Sequence, residues 1–113
     1  MPGDPKPINN IESVLAAVEV KGGGYVWDAE VRAVMLMNVP MNDEDALALC
    51  KLAGVQQIIV EASGLSFPML QSLARIRGLE SLVLNHSSLT PQQVEALAAV
   101  GPEIVRLDEG ADQ

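Results

Sequence analysis

His86 is the only histidine of the chain and stands beside Asn85, one 24-residue interval after Glu61, so an imidazole, an amide and a carboxylate can meet if that interval is structural. Acid-base work by such a group would also need a nucleophile, and no serine or cysteine is placed with His86 by any recognisable pattern. Cys50 recurs in phase with Ala74 and Ala98, which explains it as a small side chain between stacked elements. One histidine and one cysteine on opposite sides of such a unit give no metal geometry. The run Asn42, Asp43, Glu44, Asp45 lacks the turn glycine and closing glutamate of a calcium loop, and acids are what a first helical turn favours. The three glycines at 22–24 are not followed by the Gly-Lys-Ser/Thr of a phosphate cradle and read as a plain connector. No catalytic residue, metal ligand or cofactor is expected, and the expectation is a non-enzyme.

What positions these residues is a repeat. VRAVMLMNVPMNDEDALALCKLAG (31–54), VQQIIVEASGLSFPMLQSLARIRG (55–78) and LESLVLNHSSLTPQQVEALAAVGP (79–102) align without gaps over 24 residues each. A fixed period of this size implies units that bury their apolar faces only against their neighbours. Positions 1, 4, 6 and 11 are apolar throughout: Val31, Val34, Leu36, Met41; Val55, Ile58, Val60, Leu65; Leu79, Leu82, Leu84, Leu89. Positions 16, 19 and 22 are as well: Ala46, Leu49, Leu52; Leu70, Leu73, Ile76; Val94, Leu97, Val100. The first set has strand spacing leading into a turn, and the second marks one helix face. Asn42, Ser66 and Thr90 are N-caps, with Pro91 at the first helical position and Gln93 completing a capping box; Gly54 and Gly78 are expected to release the helices.

The flanks follow. Residues 1–10 hold three prolines and read as a loose tail. Asn10 is expected to cap a helix over 11–20 whose face is Ile11, Val14, Leu15 and Val18. Residues 25–27 are expected to fold back as a hairpin arm on 31–36, with Trp27 packing in the cap. After Gly101 and Pro102, Glu103 is expected as a one-residue insertion, so that Ile104 and Leu107 regain the strand spacing one place late; a polar tail is expected from 108 to 113. The expected organisation is one domain over 11–107, with a cap at 11–30, units 31–54, 55–78 and 79–102, and a partial strand at 103–107.

Composition restricts the partners. Fifteen acidic against seven basic residues give a formal charge of −8, which opposes binding to a phosphate backbone and makes nucleic acid an unexpected partner. With 49% hydrophobic residues a continuous core is affordable, yet no stretch approaches the roughly 20 apolar residues of a membrane span. A lone cysteine and the absence of a secretory pattern in MPGDPKPINN point to a cytoplasmic protein.

The segment LESLVLNHSSL (79–89) resembles the strand motif LxxLxLxxNxL of leucine-rich repeats, with Ser87 at the asparagine place; VQQIIVEASGL follows it with Ser63, and VRAVMLMNVPM with Val39. The interval and the GGxV arm before the first unit are similar to short bacterial-type repeat proteins. The resemblance implies an α/β solenoid with a parallel sheet on one face and helices on the other, the position-nine side chain bonding backbone between turns, and a surface for binding proteins. In such a fold positions 3, 5, 7 and 8 face outward: Ala33, Met35, Met37, Asn38; Gln57, Ile59, Glu61, Ala62; Ser81, Val83, Asn85, His86. Met35, Ile59 and Val83 then make an apolar stripe in a polar surround, and Met35, Met37, Gln57, Ile59, Glu61, Ser81, Val83, Asn85 and His86 are the candidate protein-binding residues. Two functions fit: a non-catalytic interaction module using this face, or a structural subunit that self-assembles through its end unit or sheet edge, as a homo-oligomer.

Overall fold

A computed structural model describes residues 9–87 and 89–107, with side chains from residue 11 onward; the expected tails at 1–8 and 108–113 lie outside these. Among the described residues four α-helices flank a five-stranded sheet: α1 (Asn9–Val20), β1 (Gly24–Trp27), β2 (Arg32–Leu36), α2 (Asp43–Leu49), β3 (Gln57–Glu61), α3 (Phe67–Ala74), β4 (Ser81–Asn85), α4 (Pro91–Ala98) and β5 (Glu103–Arg106), with a 3₁₀ turn at Ala62–Gly64. The strands lie in chain order. β1 is antiparallel to β2, the hairpin arm that the sequence suggested, and all other pairs are parallel. The chain is thus an α/β protein with a mixed, mostly parallel sheet.

The 24-residue interval is the ladder register: Val34 pairs with Ile58 and Ile58 with Leu82, and likewise Leu36, Val60 and Leu84. Both rows are sealed from solvent and join Leu49, Leu70, Leu73 and Leu97 from the helices in one core, with Val14, Leu15 and Val18 of α1 closing it at the β1 side. Burial of this apolar area is the main stabilising term. Helix starts follow from the caps: Asn42, Ser66 and Thr90 accept the amides of Asp45, Met69 and Gln93. Asp45 returns a bond to the Asn42 amide, a second capping box beside the expected Thr90–Gln93 one. Asp43 also accepts from both the amide and the hydroxyl of Ser66, at 2.8 and 2.6 Å, so an acid of one helix steadies the cap of the next.

Several expectations need correction. α1 spans Asn9–Val20, so Asn10 lies within the helix rather than ahead of it. Gly54 and Gly78 do not release helices, which already end at Leu49 and Ala74; tight turns such as Leu52 N–H to the Leu49 carbonyl fill the interval. These glycines instead turn the chain into the next strand at φ +94° and +91°, and a Cβ on Gly78 would come within 3.1 Å of Gly54 Cα. Gly23 is no plain connector: a Cβ there would meet Leu36 Cδ2 at 2.6 Å and the Met35 carbonyl at 2.7 Å.

The last strand departs most. Ile104 pairs with Leu82, an offset of 22 rather than the 25 that an inserted Glu103 implies, so the unit is shortened by two residues. Only four residues separate α4 from β5, and Gly101 at φ +150° makes that turn. Ile104 therefore takes the place of Leu82 on the core side, Leu107 is exposed, and Arg106 stands in the row of Leu36, Val60 and Leu84. Val31 and Val100, expected in the core, are exposed because they lie at the two ends, in the β1–β2 turn and after α4.

Candidate interaction face and its polar corner

The helices and core side chains occupy one side of the sheet, and alternation sends the other residues of each strand to the opposite side. Register arranges that open side in rows. The middle row runs Gly24, Met35, Ile59, Val83, Val105, and the row toward the strand starts runs Val26, Ala33, Gln57, Ser81, Glu103. Glu61 pairs with Asn85 at the strand ends, where Met37, Asn38 and His86 also lie.

Accessibility divides the candidate residues. Met35 and Met37 are exposed, at 37% and 47%, as are Gln57 and His86; Ile59 and Ser81 are half-buried. Glu61 and Asn85 are buried at 8%, and Val83 at 5%, against the expectation of an accessible stripe. Ala33 and Ala62 are buried too. Strand phase is not the cause, since Leu82 and Leu84 are fully buried and Val83 stands outside the core cluster. Val83 is instead flanked within its own row by Ile59 and Val105, strands being about 4.8 Å apart. The apolar surface that remains open shifts toward β1 and β2, where Val26, exposed opposite Ala33, joins Met35 and Met37. Val26 and Val105 were missed from the candidates; the first required the hairpin register and the second the shortened last unit.

The polar corner is centred on Glu61. Its Oε1 accepts from the Asn38 amide at 3.1 Å and from Asn85 Nδ2 at 3.0 Å, while Oε2 accepts from Ser63 Oγ at 3.3 Å and faces His86 Nδ1 at 2.5 Å. Asn85 Nδ2 also reaches Asn38 Oδ1 at 3.4 Å. Burial raises the cost of the Glu61 charge, but bonds from His86, the Asn38 amide and Asn85 outweigh it and hold the carboxyl below its ordinary value. An ionised carboxylate only accepts, so Nδ1 of His86 carries a proton and Nε2 is left to the outer side of a ring that is 56% exposed. Asn38 and His86 are the two non-glycine residues with left-handed backbone among those described, at φ 65° and 57°, both residue types that tolerate it.

Chemically, the corner is a carboxylate with its acceptor sites filled and an oriented imidazole. Ser63 donates to the carboxylate rather than facing the ring, and Cys50 is a half-buried thiol at the end of α2 whose pKa burial pushes up. No group of three His, Cys, Asp or Glu side chains comes together among the described residues. The asparagine-place residues differ from the bonding implied by the resemblance: Ser63 bonds within its own unit and Val39 is buried. No helix among the described residues is long and apolar enough to cross a membrane. Compared with protein-family models, curated proteins and solved structures, the chain matches none.

Proposed function

We propose that the chain is a short leucine-rich-repeat solenoid acting as a non-catalytic module that binds another protein on the open face of its sheet. The observation that carries this reading is the exposure of Met35 and Met37, with Val26 and half-buried Ile59 beside them, on a face that the core side chains and helices leave uncovered. Apolar surface of this kind, bordered by Gln57, Ser81 and His86, has the composition of a protein contact, and methionine adapts to a partner's shape. The constant 24-residue register supports the solenoid. A charge of −8 disfavours nucleic acid, and the free Cys50 suits the cytoplasm. The test is site-specific photocrosslinking: a photoreactive residue at Met35 or Met37 traps a protein partner, one at the exposed Leu47 of α2 does not, and a folded Met35→Lys, Met37→Lys, Ile59→Glu variant loses the partner. Crosslinks confined to position 47, or an undiminished partner on the triple variant, would refute the reading.

Self-assembly through the sheet edge is the second reading. Glu103 donates its amide to the Glu80 carbonyl just before β4 and Leu107 to that of Leu84, so parallel pairing turns the backbone groups of Ile104 away from β4, as a sheet edge. Mass in solution that rises with concentration, and falls back to one chain with Ile104→Pro, would favour this reading over the first.

A further inference from the structure

We propose that Glu61 is an acid-sensitive clasp that fixes the strand-end corner of the open face by tying together the turns of three successive units. Its four bonding partners come from the turn after β2 (Asn38), its own turn (Ser63) and the end of β4 (Asn85 and His86). Every one of these presents a donor, and a carboxylate is the side chain that can accept them all. A proton on Glu61 places an O–H among converging donors, so at least one bond is lost, and the nearby Asn38 Oδ1 already receives Asn85. Asn38 and His86 hold left-handed backbone at either side of the carboxylate, so their turns are the segments released first. Among the described residues His86 is the one other titratable group bonded to Glu61; Asn38, Ser63 and Asn85 are neutral. Folding favours the ionised carboxyl in the same direction as the geometry. The clasp is intramolecular, so it goes beyond the partner reading and is tested without a partner.

The experiment is amide exchange by NMR on the free protein from pH 7 down to about pH 2.5, a range that passes well below the ordinary carboxylate value because the Glu61 carboxyl is held under it, expressed as protection over the intrinsic rate. The Asn38 amide, in an exposed residue, is the reporter; the Gln56 amide, bonded to the Arg32 carbonyl at 2.8 Å at the other strand end, is the reference. Asn38 protection is expected to fall about tenfold as Glu61 is protonated while that of Gln56 holds, the loss of one charge-assisted bond. Glu61→Gln lowers Asn38 protection already at pH 7 and flattens its pH dependence, whereas His86→Asn, which keeps a residue tolerant of left-handed backbone, retains the acid step. Constant Asn38 protection, a fall in step with Gln56, or an acid step that vanishes in His86→Asn and persists in Glu61→Gln would each overturn the proposal. If Glu61→Gln does not fold, the wild-type comparison of the two amides decides.

Discussion

Val83 and Leu84 are adjacent and nearly equally inaccessible, yet the fold gives them opposite surroundings, and substituting each in turn measures the difference. Leu84 is sealed in the core shared by sheet and helices, so Leu84→Ala leaves a closed cavity and should cost about 2–5 kcal/mol. Val83 is 5% exposed but is covered by row neighbours; Val83→Ala removes two methyl groups, about 0.8 kcal/mol each, and water can fill the gap, so about 1.5 kcal/mol is expected. For a domain of this size 1 kcal/mol shifts Tm by about 4–8 °C, which separates the two variants clearly in reversible thermal and urea melts followed by circular dichroism. Lysine sharpens the contrast. At position 83 its stem can lie over Ile59 and Val105 with the ammonium in water, whereas at position 84 the charge has no way out of the core. Val83→Lys should therefore fold with a reduced midpoint and Leu84→Lys should not fold. Equal losses for the alanine pair, or failure of Val83→Lys alone, would show a second covering layer over the open face and refute the reasoning.

Thr90→Ala removes the acceptor of the Gln93 amide and half of a capping box, and should lower stability by about 1 kcal/mol in the same melts. Gly23→Ala meets Leu36 and the Met35 carbonyl, while Gly22→Ala meets open space at φ +103°; both should destabilise, and the Gly23 variant should lose more Tm. Glu61 has a folded pKa below its ordinary 4.5, so its contribution is present above that value and is lost as pH falls through the folded one; urea midpoints should drop there for wild type and less steeply for Glu61→Gln.

The parts of the fold that depend on local chemistry were legible in the chain. Strand rows at Val34, Ile58 and Leu82 follow from apolar spacing, and Asn42, Ser66 and Thr90 mark helix starts because their side chains satisfy free amides wherever a helix begins. Helix ends were misread because a glycine after a periodic run suggests a C-cap, whereas Leu52 and Ile76 reach the core from tight turns beyond the helices. The β5 register was misread because Ile104 and Leu107 have the spacing of a strand start, and nothing local reveals that the turn at Gly101 is two residues short. For the site, the meeting of Glu61, Asn85 and His86 follows from the period. That Glu61 is buried and also receives the Asn38 amide depends on a backbone turn, which side-chain spacing does not encode. Val83 pairs in register with Val105, a residue whose row was assigned only by that same shortened turn.

Because Val34, Ile58 and Leu82, and Leu36, Val60 and Leu84, repeat the same pairing, the middle unit meets equivalent rows above and below, and a duplicate of residues 55–78 could be spliced beside it with those ladder contacts preserved. The other end does not permit such growth. Arg106, which donates to the Leu89 carbonyl at 3.4 Å, occupies the place of those leucines and valine, so a further unit of the same kind continued from β5 would have to bury a guanidinium where its predecessors bury a methyl, whereas backbone pairing along that edge alone would not. Length in this architecture is therefore adjustable from within and blocked at the last strand, and an engineer lengthening the array would insert at the centre and leave residues 79–107 as they are.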